Sequence, residues 1–524
     1  MDLSRILPLG IQDFEKLRIG NCLYVDKTMY LYYLTQTSSP YFLGRPRRFG
    51  KSLFLSMLKA YFLGKKELFK GLKIYDLETN WEEYPVIYLD FSKTFFTDIQ
   101  SLYNVLDTVL GEYENELNIN ELSPEFSLRL EKIIKTFKRK TNKNVVILVD
   151  EYDKSLLDTI DNAELNGKIR NVLKGFYGIL KSNDSNLRFV FLTGVTKFSK
   201  VSIFSDLNHL TDISLDNRFS GICGISENEL KEYFQPEIEA IAENQKHTYE
   251  KILNELKKRY DGYHFSINSE GMYNPFSLLN ALQMKELLNF WFKTGTPTFL
   301  IKLIKIKNFN LLNFNEDISI SINSIDDFRI ENEDVVPLLY QSGYLTIKGY
   351  KERTKSFILG FPNEEVKYGF LNELLPIYVS KISEKKEFYI ENFIEELEDN
   401  RIDSFLLRLK AFFSKIPYDL NNKTEKHFQT IFWLFFELMG QFVEVESHSA
   451  IGRADAVVKT DTHIYVFEFK ISITDDYKNS LEYALDQIND KNYTLQYSIS
   501  DKKVVKIGVT FDSDKRTLGE WTIS

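Results

Sequence analysis

Two sets of residues in this 524-residue chain have the types and spacing to do phosphate chemistry. The first is Gly50-Lys51-Ser52, preceded by the apolar run 40–43 and the loop 44–49 and followed at once by the helical stretch 53–62. A strand, a loop and Gly-Lys-Ser at a helix start is the order a phosphate cradle requires. Backbone N–H groups point at the anion, the Lys51 ammonium reaches the outer phosphates and the Ser52 hydroxyl ligates Mg²⁺. Counting back from Gly50, the place of the usual first glycine is held by Arg45, with Gly44 one residue too early. Taken alone, the tripeptide is more often simply a helix start. The β-branched run 145–149 strengthens it, because it ends in Asp150-Glu151. A buried strand would deliver both carboxylates to its C-terminal edge, Asp150 to hold Mg²⁺ through water and Glu151 to polarise an attacking water. Thr193, closing the run 188–193, is a candidate sensor of the terminal phosphate, although a plain strand-terminal threonine explains it nearly as well. Arg218 reads better as a surface ion pair than as an arginine finger.

The second set lies near the C-terminus. Residues 457–465 read as two strands joined at Asp461-Thr462, a polar pair of the kind hairpin turns use. With that pair as the turn, Asp455 faces Glu468. Glu468 and Lys470 then project from one face with Ile464 and Val466, while Tyr465, Phe467 and Phe469 project from the other. Two carboxylates and an amine on one patch suit metal-dependent phosphodiester hydrolysis: Asp455 and Glu468 ligate Mg²⁺, and Lys470 orients water or offsets transition-state charge. A cross-strand salt bridge on a solvated face is the competing explanation of any Glu-x-Lys strand.

The elements that must position these residues fall into three regions. Short apolar runs at 40–44, 86–91, 145–150 and 188–194 alternate with helical stretches, the pattern of a parallel sheet covered by helices on both faces. From 226 to 385 the chain reads as a helical, lid-like or winged-helix-like region. Helices are expected at 391–410 and 424–439, then strands at 442–447, 455–459, 463–471 and 503–511, a second α/β unit. The expected divisions are therefore 1–225, 226–385 and 386–524.

Composition narrows the field. At 43% hydrophobic and 27% charged residues the chain is ordinary folded material. Its two cysteines, Cys22 and Cys223, cannot form a disulfide framework and lack metal-ligand spacing, so buried thiols in a reducing compartment are expected. The N-terminus lacks the pattern of an export signal, and the greasiest window, 430–439, contains Glu437 and is too short for a bilayer. A cytoplasmic protein without a membrane partner is expected. The formal net charge of −9 gives no global attraction to nucleic acid, which would have to bind at a local patch or a metal-assisted site.

The run Arg45-Pro46-Arg47-Arg48-Phe49-Gly50-Lys51-Ser52-Leu53, with Val25-Asp26-Lys27-Thr28 upstream and Asp150-Glu151-Tyr152-Asp153 downstream, resembles the AAA-ATPase-like P-loop proteins of bacteria. These are typically fused to a PD-(D/E)xK nuclease-like domain. Further matching segments are 260–265 (Tyr-Asp-Gly-Tyr-His-Phe), 273–275, 294–297 and 341–345, so the resemblance spans nearly the whole chain. It implies a P-loop NTPase sheet with a C-terminal restriction-endonuclease-like α/β domain, and ATP and Mg²⁺ as cofactors. The loop of the family is arginine-rich, which brings Arg45, Arg47 and Arg48 into the phosphate site beside Gly50, Lys51 and Ser52. In the last domain Gly452-Arg453-Ala454-Asp455, the upstream Glu425 and the helical Gln487 match the nuclease pattern and complete the site around Glu468 and Lys470. His427 and His448 are read as structural. The implied activity is an ATPase unit coupled to a Mg²⁺-dependent nuclease acting on DNA, in defence or mobile-element control, with self-association by analogy. The alternatives are a nucleotide-dependent interaction switch with an inert nuclease-like domain, and a plain ATPase with an inert C-terminal module. From 419 to 524 there are 12 Lys and Arg against 17 Asp and Glu, which opposes sequence-independent phosphate binding. The loop arginines and Lys138-Arg139-Lys140 are candidate compensations.

Overall fold

The computed structural model describes residues 5–524 except 38, 122, 198–209, 295–299, 302, 305, 306, 308, 310, 316, 317, 326–333, 379–385, 415–424, 441–443, 448–454, 473–476, 492, 498, 499 and 513–516. The fold is α/β and divides into two compact units, Met1–Lys307 with Ser319–Val366, and Asn308–Ile318 with Lys367–Ser524. Most of the expected middle region thus belongs to the same unit as the P-loop sheet.

In the first unit, β1 (Pro40–Gly44), β2 (Val86–Asp90), β3 (Val145–Asp150), β4 (Leu187–Gly194) and β5 (Thr211–Asp212) form one parallel sheet in the order β2-β3-β4-β1-β5. Every residue of β3 is buried, which a Val-Val-Ile-Leu-Val run tolerates only with both faces covered. The helix Lys51–Phe62 covers one face of β4: Phe54 lies 5.8 Å from Phe191 and Phe62 lies 5.1 Å from Phe189, between ring centroids. Pairing of Gly44 with Gly194 and of Asp90 with Asp150 aligns the C-terminal strand ends at one edge. The helices Glu227–Gln245, Tyr249–Tyr260 and Pro275–Met284 share an apolar core that also takes in Leu7. A two-strand ribbon, β6 (Ile225–Ser226) with β7 (Met272–Tyr273), precedes a small sheet of β8 (Ile318–Ser321), β9 (Thr346–Lys351) and β10 (Ser356–Gly360).

The second unit holds a mixed sheet, β11 (Glu444–Ser447), β12 (Ala456–Lys459), β13 (His463–Ser472), β14 (Lys503–Asp512) and β15 (Thr517–Ile523), paired in sequence order. Only β13 and β14 run parallel. Phe467 and Phe469 of β13 meet Phe405 and Phe436 from the helices Ile402–Phe413 and Glu425–Met439, whereas Ile464 and Val466 pack with Ile488 and Tyr493 at the helix Tyr477–Asp490. The alternation expected from sequence thus sorts the two faces of β13. The single helix expected at 391–410 is instead two, Lys386–Glu398 and Ile402–Phe413. Asn400, at φ 55°, takes the left-handed conformation that ends a helix, and asparagine tolerates it.

Candidate functional site

The phosphate loop begins where β1 stops. Gly50 precedes the helix Lys51–Phe62 with φ 93°, a conformation that strains any other residue. A Cβ built there would meet no atom within 4 Å, so the space beside the helix start is open. No side chain caps the first turn, which leaves its N–H groups suited to an anion. The Lys51 ammonium is buried and donates to the carbonyl oxygens of Arg45 and Pro46, both at 3.0 Å. Burial pushes its pKa down, while the charges of Glu151, Asp150 and Asp153 favour the protonated form. Ser52 follows, half-buried in the same turn.

Because β4 lies between β3 and β1, Thr193 stands between the acidic strand end and the loop. Its Oγ1 donates to Asp150 Oδ1 at 2.7 Å, and the Tyr88 hydroxyl approaches Asp150 Oδ2 at 3.5 Å. Asp150 is buried, and Glu151 after it has φ 51°, a left-handed conformation unusual for glutamate. The Tyr152 N–H, bonded at 3.0 Å to the Thr193 carbonyl, ties this turn to β4 and holds it there. Burial raises the pKa of Glu151 and the nearby Lys51 charge opposes the rise. Asp153 instead anchors the backbone after β4, accepting from the N–H groups of Val195 at 3.0 Å and Thr196 at 2.6 Å, and from Thr196 Oγ1 at 2.7 Å.

The arginines divide. Arg45 is buried and donates to the carbonyls of Gly44 (2.9 Å), Ser214 (2.8 Å) and Phe219 (3.0 Å), with its guanidinium 4.1 Å from the Phe265 ring centroid. It braces the loop from beneath, whereas the resemblance implies a phosphate contact. Arg48, at φ 67°, donates to the Trp291 carbonyl and lies 4.5 Å from the Phe276 ring centroid. Arg47 is near enough to Glu151 to favour its ionised form. The matching segments 260–265 and 341–345 close around the same loop, and a Cβ on Gly343 would stand 2.7 Å from Pro46 Cβ. Of 294–297, residues 295–297 lie outside the described residues. Arg218 forms an exposed ion pair with Asp216 at 2.6 Å. Lys138 and Lys140 donate to the carbonyls of Ser185 (2.9 Å) and Leu117 (2.8 Å), and Arg139 to Thr136 Oγ1 at 3.2 Å.

In the second unit, Ala456 pairs with Phe467 and Lys459 with Ile464, which sets Asp455 opposite Glu468 at the open end of the hairpin. Asp455 Oδ2 accepts the Phe469 N–H at 2.7 Å. Lys470 Nζ donates to Glu468 Oε1 at 2.8 Å and to Gln487 Oε1 at 2.6 Å, and Gln487 Nε2 donates to the Tyr493 hydroxyl at 3.2 Å. Burial, and after it the Glu468 charge, pushes the Asp455 pKa up to about 7. Burial also raises that of Glu468, against the pull of Lys470. Glu468 Oε2 is buried with no hydrogen-bond partner. Two crowded carboxylates, one with an orphaned oxygen, are the hard oxygen donors that fit a divalent cation. Glu425 is the first residue of the helix Glu425–Met439, but its side chain and that of His427 lie outside the described residues, as do 452–454 and His448. Sequence reasoning missed Tyr493, whose hydroxyl orients Gln487 from beyond the helix end and which no motif marks. Among the described residues no three His, Cys, Asp or Glu side chains converge as a ready-made metal cluster.

Residues 8–204 match the family model described as "Predicted AAA-ATPase", and residues 423–521 match that of the PD-(D/E)XK nuclease superfamily. A protein of Azotobacter chroococcum mcd 1, described as an uncharacterized protein in the vnfD 5' region, is 34% identical over 526 residues, covering 98% of this chain and 97% of its own length. No helix among the described residues is long and apolar enough to cross a membrane.

Proposed function

Because the chain belongs to the AAA-ATPase-like proteins that carry a C-terminal PD-(D/E)XK nuclease superfamily domain, we propose that it binds and hydrolyses ATP in its first unit and cleaves nucleic acid, DNA in the first instance, in its second. The observation that carries the nuclease reading is the buried, unpartnered Glu468 Oε2 beside Asp455 and Lys470. Asp455 and Glu468 would hold Mg²⁺. A cation so held supplies Lewis acidity at the phosphoryl oxygen and a more acidic bound water. Asp455 is kept in place by the Phe469 N–H and must give up its proton to act as a ligand. Lys470, aimed by Gln487, offsets negative charge developing on the phosphorus oxygens.

In the first unit Gly50, Lys51 and Ser52 would receive the phosphates, with Arg47 and Arg48 at the side and Asp150 holding the hydrated Mg²⁺ of the nucleotide. Thr193 fixes the Asp150 carboxylate, and Glu151, held in its left-handed turn, would polarise the attacking water. We place the protein in the cytoplasm, in keeping with its two free, buried cysteines. The relative spans both units, so the two parts occur together in it as well; in our reading nucleotide state governs cleavage. Wild type and Glu468→Ala should be incubated with supercoiled plasmid in Mg²⁺ or Mn²⁺, with ATP, ADP or neither. Nicking by wild type alone is the expected result; no cleavage of the plasmid or of a single-stranded oligonucleotide under any of these conditions sinks the nuclease reading.

One observation favours a second reading. The excess of 17 acidic over 12 basic side chains in 419–524 suits an interaction switch that holds a partner without cutting. Nucleotide-dependent capture of a partner, without cleavage in the plasmid experiment, would favour it.

A further inference from the structure

Beside the carboxylates stands an aromatic ring that neither unit's chemistry uses. Tyr483, on the helix Tyr477–Asp490, is 63% exposed even though Lys470 Nζ lies 5.2 Å from its ring centroid. It sits one helical turn before Gln487, on the same side, so the ring and the amide flank the same lysine. The helix's other open positions are polar: Lys478, Asn479, Glu482, Asp486, Asn489 and Asp490. Glu482 and Asp486 repel a phosphate backbone, so the electrostatic route to this edge is weak. A base has a π-face and no charge, and it can stack on an open ring whatever its sequence, but only when it is not already stacked and paired in a duplex.

We infer that Tyr483 is a stacking platform for an unpaired base, and that the substrate class of the second unit is single-stranded nucleic acid or an unpaired segment. The inference rests on the nuclease reading and deepens it. Stacking supplies affinity that does not depend on positive charge, which a domain of this acidity needs, and it presents the adjoining phosphodiester to Lys470. The competing role for Tyr483 is to hold Lys470 by its ring face alone, which would affect every substrate alike.

The test uses the full chain in Ca²⁺, which limits cleavage, with a single-stranded oligonucleotide carrying 2-aminopurine and the matching duplex. Wild type is expected to bind the single strand and quench its fluorescence. Tyr483→Ala should weaken that binding about tenfold, with duplex binding unchanged, and Tyr483→Trp should restore it. In Mg²⁺ the alanine variant should raise KM on the single strand more than it lowers kcat. Equal single-strand affinity for wild type and Tyr483→Ala, or an equal fall in kcat on both substrates with KM unmoved, overturns the inference and leaves the nuclease reading standing. Failure of wild type to bind or cut either form overturns both. The exposed site makes misfolding of the variants a minor concern, and circular dichroism checks it.

Discussion

Lys470 Nζ lies 2.8 Å from Glu468 Oε1 while the second oxygen of the same carboxylate is buried without a partner. The lysine therefore neutralises only part of a charge that the fold has taken out of water. Lys470→Ala should leave Glu468 more strongly protonated and remove the group proposed to meet transition-state charge. Phosphodiester cleavage should fall on the order of 10²-fold or more. Lys470→Arg should recover little, because a planar fork does not replace a compact ammonium between Glu468 and Gln487. Cleavage rates of the two variants at saturating substrate check this, and near-wild-type activity in Lys470→Ala would remove the lysine from the chemistry.

If Asp455 is a metal ligand as proposed, it makes the metal response depend on pH in a definite direction. Its carboxyl stands at about 7 in the folded chain against an ordinary 3.8, so the metal-free fold binds a proton that the unfolded chain has released over that interval. Its contribution to stability is present below the unfolded value and is lost as pH rises through the folded one. Metal-free wild type should therefore lose thermal stability relative to Asp455→Asn between about pH 5 and pH 8. Mn²⁺ should raise the wild-type Tm more at the upper end of that range, where no proton has to be displaced. Parallel melting curves with and without Mn²⁺ read both effects, and a metal-induced shift that is flat across pH would contradict them.

The proposed nucleotide site offers a sharper separation of roles. Lys51→Ala removes the buried ammonium that now donates to the Arg45 and Pro46 carbonyls, and binding of a fluorescent ATP analogue should drop by at least about tenfold. Thr193→Val keeps the shape but deletes the 2.7 Å hydrogen bond to Asp150. Phosphate release should then fall about tenfold, with nucleotide affinity much less changed. Hydrolysis that survives Lys51→Ala would discard the phosphate-loop assignment.

The sequence carried the phosphate loop, the acidic strand end and the hairpin because each is a local pattern: a Gly-Lys-Ser before a helix, a β-branched run before two acids, a polar pair between alternating strands. Period-two alternation alone separated Glu468 and Lys470 from Phe467 and Phe469, and the packing on the two faces of β13 agrees. What could not be read is set by contacts distant in sequence. Nothing near Arg45 indicates that its guanidinium meets carbonyls 169 and 174 residues away. The helix break at Asn400 was hidden because helical apolar spacing resumes on its far side, although asparagine is a poor helix former that favours the left-handed turn it adopts. Tyr483 did carry a signal, four residues before Gln487, but an aromatic at helical spacing reads as core until its exposure is known.

Arg45 and Arg47 are two residues apart in an arginine-rich loop, and the structure gives them different work. Arg45 is 1% exposed and supplies the donors for the Gly44, Ser214 and Phe219 carbonyls. Arg45→Ala would leave those oxygens short of a donor and open a void beneath the loop against Phe265. The expected cost is on the order of 3 kcal/mol, seen as a lower Tm with or without nucleotide. Lysine should not rescue it, since one ammonium on a flexible stem cannot span three carbonyls held by a rigid fork. Arg47 acts on Glu151 through its charge, so Arg47→Ala should change the unfolding free energy of the nucleotide-free protein by only about 0.5 kcal/mol while weakening ATP binding and removing part of the opposition to the raised pKa of Glu151. Measuring Tm and nucleotide affinity for both variants separates brace from ligand. An Arg45→Ala protein with unchanged Tm and lost ATP binding would reverse the two assignments.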